Sequence, residues 1–212
     1  MPHKTLEVAN VVITANVFNV SIFSQLWLQR HEIFREEEFI SRETMFLPQL
    51  VQVGTETCHM LVVPERLQMI LKTPDNPDPI LDRVRSIVNL LPQTPYTALG
   101  LNMIWFLSMN EDERITDFTR RNFSVPNHPL YNYFSVEDAK FGAYISKQFA
   151  YFRLRADIKP VRLPDGSEKV QLSFNFNFDL PSVDNVAEVI NESLTRWTEA
   201  FQETQTITDM LR

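Results

Sequence analysis

Val170-Gln171-Leu172-Ser173-Phe174-Asn175-Phe176-Asn177-Phe178-Asp179 alternates apolar and polar residues without a break. Successive side chains of a strand point to opposite faces. Strict alternation therefore marks a strand with one face in the core and one face polar. A second alternating run precedes it. Ala150, Phe152, Leu154, Ala156 and Ile158 interleave with Phe149, Tyr151, Arg153, Arg155 and Asp157. Pro164-Asp165-Gly166 lies between the runs and is a strong turn signal. Together they predict an antiparallel hairpin of two strands, over about 142–161 and 168–180.

Upstream, residues 96–108 predict a strand, and Asn110 then caps a helix with Glu113 in the capping-box position. Glu111, Asp112 and Glu113 fill its first turn and Arg120 and Arg121 its last, as the helix dipole favours. A long loop spans 124–138. Downstream, a helix starts at Ser182 or Asp184, with Val186, Ile190, Leu194, Trp197 and Phe201 as its apolar stripe.

The first part of the chain shows the same order. Residues 7–18, rich in Val, Ile and Thr, predict a strand. Asn19 or Ser21 caps a helix running to about Phe34, and Arg35-Glu36-Glu37-Glu38 reads as a solvated connector. Strands follow near 45–55 and 58–71, with a turn at Gly54. Asp78 caps a second helix whose first position is Pro79. Its buried stripe is Leu81, Val84, Val88 and Leu91, and Pro92 and Pro95 end it.

Strand, helix, strand, strand, helix thus occurs twice. The expectation is an α+β chain of two similar β-α-β-β-α halves, residues 1–93 and 94–212, forming one compact unit. Its sheet is mainly antiparallel, with helices packed on one face. Val12-Ile13-Thr14-Ala15-Asn16 and Leu99-Gly100-Leu101-Asn102 echo each other across the halves. This element order is similar to the duplicated saddle of the TATA-box-binding-protein-like fold, over most of the chain and at the level of order alone. The resemblance implies an architecture and no activity. No intercalating phenylalanine pair and no basic underside is identifiable. The strand at 96–106 also resembles those of bacterial α+β proteins, so a bacterial or phage origin is expected.

Composition narrows the function. At 44% hydrophobic and 11% aromatic, the chain can build a core without metal or disulfide. It has 4 glycines and no P-loop, GxGxxG or GxSxG, which argues against the usual nucleotide enzymes and hydrolases. A net charge of −7 argues against a general binder of nucleic acid or membrane surfaces. Cys58 is the only cysteine, which fits a reducing cytoplasm. Asn10, Asn16 and Asn19 interrupt the apolar stretch 8–23, which reads as a strand entering a helix rather than a leader or a span.

Few residues suggest chemistry. Cys58 and His59 are adjacent, but on a strand they point apart and cannot form a dyad. His3, His31, His59 and His128 are scattered without metal-ligand spacing, so no metal is expected. The acidic runs at 36–38 and 111–113 read as a connector and a helix start. No catalytic residue and no cofactor is assigned.

Two regions are candidate binding surfaces. The polar face of the second hairpin displays Tyr151, Arg153, Arg155, Ser173, Asn175 and Asn177. It is either a plain solvated face or a surface for a carboxylate, a phosphate or an acidic partner segment. The loop holding His128, Tyr131 and Tyr133 either caps the core or contacts a partner. In the first half, Leu50, Val51, Val53 and Met60 to Val63 leave little alternation. Those strands are buried on both sides or face a partner. The reading is a non-enzymatic binding or assembly protein, with a protein partner or self-association. A small-anion enzyme or sensor using Arg153 and Arg155 is the alternative, and nucleic-acid contact a further one.

Overall fold

A computed structural model describes residues 2–40, 42–72, 76–110, 112–181 and 185–211. Among the described residues nine strands form one sheet: β1 (His3–Ala15), β2 (Met45–Leu47), β3 (Leu50–Gly54), β4 (Cys58–Val63), β5 (Arg66–Leu71), β6 (Tyr96–Ser108), β7 (Ala143–Gln148), β8 (Arg153–Arg162) and β9 (Glu168–Asp179). Their order is β2-β3-β4-β5-β1-β6-β9-β8-β7. The helices are α1 (Gln25–Arg30), α2 (Asp78–Leu90), α3 (Ile115–Phe123), α4 (Pro129–Tyr133), α5 (Val186–Leu194) and α6 (Trp197–Asp209). The chain is therefore α+β with an antiparallel sheet, as its alternating runs predict. No helix among the described residues is long and apolar enough to cross a membrane.

Several predicted elements are subdivided. Residues 142–161 form a hairpin, β7 and β8, turned at Phe149–Phe152. Residues 45–55 and 58–71 are each two strands, turned at Pro48-Gln49 and Pro64-Glu65. The first helix is short. Asn19 holds the cap position of a 3-10 turn, Val20–Ile22, without a side-chain bond, and Ser24 caps α1 by accepting from the Trp27 amide at 3.2 Å. Pro77 rather than Asp78 holds the cap position of α2. The third helix starts after Arg114, so Asp112 and Glu113 precede it; Glu113 pairs with Arg121 at 2.6 Å instead. Glu111, Ser182 and Asp184 lie outside the described residues. The last predicted helix breaks at Thr195-Arg196 into α5 and α6.

Backbone contacts divide the chain into two compact units. One comprises Met1–Glu7, Met103–Asn175 and Phe201–Arg212; the other comprises Val8–Asn102 and Phe176–Ala200.

In the second unit, Val11, Ile13, Val51, Val53, Met60, Val62, Leu67 and Met69 are almost wholly buried on one face of the sheet. Register carries that face across strands: Val51 opposes Val62, which opposes Leu67. On the other face, Val12, Leu50, Leu61, Val63 and Ile70 are half-buried. The predicted stripe of α2 is buried as expected, and α2 packs on β5 and α5. Thr14 Oγ1 lies 2.9 Å from Thr97 Oγ1, and Asn102 donates to Asn10 at 2.9 Å, so β1 and β6 run antiparallel. Of the predicted solvated connector, Arg35, Glu36 and Glu37 are exposed as expected and Glu38 is folded in. Glu38 accepts from Arg83 at 2.6 Å, and the Arg83 guanidinium lies 4.5 Å from the Phe34 ring.

In the first unit, Trp105 on β6 packs against Phe201 of α6, and its indole N–H donates to Thr204 at 3.0 Å. Leu154, Ala156, Ile158, Val170, Leu172 and Phe174 complete the buried side.

Candidate functional site

The candidate face is the side of β7, β8 and β9 opposite that core. On β8, Arg153 and Arg155 are exposed and Asp157 half-exposed, alternating with buried Leu154, Ala156 and Ile158. On β9, Gln171, Ser173 and Asn175 are half-buried between buried Val170, Leu172 and Phe174. The turn beneath is tight: Gly166 has φ 85°, and the Ser167 amide and hydroxyl both donate to Asp165. Those two bonds hold the Asp165 carboxyl below the usual range.

β7 adds residues to this face that the sequence reading placed otherwise. Register sets Gln148 opposite Arg153, Ser146 opposite Arg155 and Tyr144 opposite Asp157. Residues directly opposite share a face. A phase break in the sequence was the available signal. One unbroken strand would have turned Tyr144, Ser146 and Gln148 toward the core. The structure resolves the conflict with a turn closed by the Phe149 amide donating to the Phe152 carbonyl at 2.9 Å. The two phenylalanine rings stack at 4.9 Å. Tyr151 sits in this turn and is 64% exposed.

The electrostatics of the face are uneven. Asp157, two residues along β8 from Arg155, accepts from Lys159 at 2.6 Å, so this carboxylate is engaged by a lysine. Among the described residues, no carboxylate pairs with the side chain of Arg153 or Arg155. Lys169 lies over the Phe106 ring at 5.4 Å. Gln171 donates to Ser173 at 2.7 Å, so that hydroxyl is engaged by an amide and not by a base. The Cα atoms of two arginines two residues apart on a strand are spaced roughly 7 Å, which lets both side chains reach one anionic group. Such a pair binds carboxylates or phosphates by charge-assisted hydrogen bonds, and it offers no nucleophile or general base. Asn177 lies on β9 in the other unit, where it donates to Asp179 at 2.9 Å.

The loop candidates separate. His128 caps α4 by accepting from the Leu130 amide at 3.3 Å. Tyr131 is partly buried, 5.6 Å from the Phe141 ring, whereas Tyr133 is 82% exposed. Arg114 ties this segment to α3 by donating to Glu137 and Asp117, and its bond to Asp117 keeps that carboxyl below the usual range.

In the other unit, Cys58 and His59 occupy opposite faces of β4. Cys58 is wholly buried and accepts from Arg83 at 2.8 Å. Burial holds the His59 imidazole below its ordinary pKa, with Glu43 opposing that shift and Lys72 adding to it. A cleft of about 680 Å³ nearby is lined by Glu37, Glu38, Glu56 and Lys72, with Glu38 already paired to Arg83. No cluster of three or more His, Cys, Asp or Glu placed to hold a metal occurs among the described residues.

Comparison with known proteins adds no relative. No protein-family model, no curated protein and no solved structure matches this chain.

Proposed function

We propose that this chain is a non-enzymatic binding or assembly protein that recognises an anionic group of a protein partner on the open face of β7, β8 and β9. One observation carries the reading. Arg153 and Arg155 stand exposed without a carboxylate partner among the described residues, in a chain of net charge −7. Two uncompensated arginines two residues apart on one sheet face make a local positive field in an acidic protein. Tyr144 and Tyr151 supply exposed aromatic surface beside them.

The proposal includes the doubled architecture, two β-α-β-β-α halves over 1–93 and 94–212. Strand order supports it: β1 and β6 are neighbours, and β5 and β9, each the strand before its half's closing helices, flank them. Likeness to the TATA-box-binding-protein-like fold is part of the same proposal and concerns architecture alone. The half-buried Val12, Leu61, Val63 and Ile70 support a second contact surface, for assembly, in the first half.

The test is comparative capture from the native host, with tagged wild type and the Arg153→Ala/Arg155→Ala variant measured by quantitative mass spectrometry. A partner whose recovery falls at least about tenfold supports the reading. The melting temperature should move by no more than roughly 2–4 °C, because both side chains are on the surface. A partner set unaffected by the substitution overturns it. Arginine-dependent thermal shifts with phosphate or citrate and no protein partner would favour the small-anion alternative. Salt-sensitive retention on DNA would favour nucleic-acid contact.

A further inference from the structure

We propose that the free edge of β7 takes an extended acidic peptide segment of another protein as an added strand, with carboxylates held by Arg153 and Arg155. This rests on the proposed arginine-face reading and names what occupies that face.

The edge itself is the first observation. β7 ends the strand order, pairing with β8 along its whole length and, among the described residues, with no strand on its other side. The unpaired N–H and C=O groups of an edge are a template for another chain, and proteins usually blunt such edges with shortness, proline, bulges or charge. The opposite edge is blunted in this way: β2 has three residues and runs into Pro48. β7 has six residues, no proline and unbroken register. Its single charge, Lys147, is drawn to the Phe149 ring at 4.6 Å.

The two faces at that edge specify the occupant. An added strand lies two strand spacings from β8, roughly 9.6 Å. An arginine and a glutamate reaching toward each other close that gap. Ser146, opposite Arg155, is the smallest side chain β7 contributes to this face and leaves room above it. On the reverse face Ile145 is 55% exposed. A segment alternating acidic and apolar residues therefore meets the arginines with one set and covers Ile145 with the other.

Charge selects against a second copy of this chain. A second copy pairing edge to edge would bring a second Lys147 to the seam and no carboxylate for Arg153 or Arg155, since β7 carries none.

The probe is a fluorescent peptide of about eight residues alternating glutamate and valine, titrated into the full chain by anisotropy. Saturable binding that weakens at least about tenfold for Arg153→Ala/Arg155→Ala is expected. Equal weakening is expected when the peptide amides that face β7 are N-methylated, which removes ladder bonds and keeps the charge. No saturation by about 1 mM peptide overturns the inference. So does equal affinity for the N-methylated peptide, or for one with the same residues and its glutamates contiguous. Tighter binding of single-stranded oligothymidylate at the same arginines, or a concentration-dependent dimer that the peptide does not disrupt, overturns it as well. Arginine-dependent capture of a host partner alongside any of these results would sink the added strand and leave the arginine face standing.

Discussion

Tyr96 opens β6 and is nearly buried, with its hydroxyl donating to the Leu91 carbonyl at 3.1 Å. Burial pushes its pKa up to about 12, only partly offset by a hydrogen bond with Thr94. The folded state thus keeps its phenol proton where the unfolded chain, titrating near the ordinary value of 10.0, loses it. Between these values the unfolded state binds fewer protons, so stability falls as pH rises. The contribution is fully present below pH 10, and its loss approaches about 2–3 kcal/mol by pH 12. Tyr96→Phe should cost about 1 kcal/mol near pH 7, from the lost hydrogen bond. It should also remove this share of the alkaline loss, so that its stability curve crosses that of wild type between pH 10 and 12. Urea denaturation of both proteins across that range checks it. Parallel curves would show that Tyr96 is not the group responsible. At this scale the sequence was only partly legible. Leu81, Val84 and Val88 announced their burial by helical spacing. The pairing of Glu38 with Arg83 left no trace, because its partners lie far apart in the chain and meet only through tertiary packing. A run of three glutamates reads as solvated until an arginine is folded beside one of them.

Among elements, the β7–β8 hairpin matters most for the proposed site, and Gly142 guards its entrance. A Cβ at Gly142 would fall inside van der Waals contact with the Ile158 carbonyl oxygen, a backbone atom that cannot swing away. Gly142→Ala must therefore push β7 off β8 where Ala143 opposes Ile158. The expected cost is about 1–3 kcal/mol. Faster amide exchange confined to 143–148 is expected in the folded state, and weaker capture of any partner that uses β7. Unchanged exchange in that strand would refute the close approach. The hairpin also shows why element boundaries were the least legible feature. Its turn contains neither glycine nor proline; Phe149 and Phe152 carry apolar character straight through it. The β4–β5 turn had Pro64 as a marker, but the apolar runs on both sides masked it. The break between α5 and α6 is equally silent, because the buried stripe from Val186 to Trp197 keeps helical spacing across Thr195 and Arg196. Alternation located the faces of β8 and β9 correctly, since a polar residue on the core side would carry a desolvation cost.

For the whole molecule, the decisive feature is that β1 and β6, the opening strands of the two proposed halves, lie side by side. Asn102 donates to Asn10 across that pair, Thr14 meets Thr97, and α2 packs on α5 with Asn191 donating to Asn89 at 2.8 Å. Each contact joins a residue before 93 to one after 94. Separating the chain there would leave β1 and β6 as long edge strands bearing Ala9, Val11, Leu99 and Leu101, all essentially buried in the intact chain. Exposed edges with such side chains aggregate or seek a partner. Fragments 1–93 and 94–212 should therefore be poorly folded or self-associating when made alone. Mixed, they should form an equimolar complex with a helix and strand signal close to that of the intact chain, seen by size exclusion and circular dichroism. Asn10→Leu with Asn102 retained should weaken that reassembly, because it removes the hydrogen bond that Asn102 donates across the β1–β6 pair. Two fragments that each fold as stable monomers and do not associate would show that the β1–β6 ladder contributes little. The halves would then be independent domains rather than one duplicated sheet.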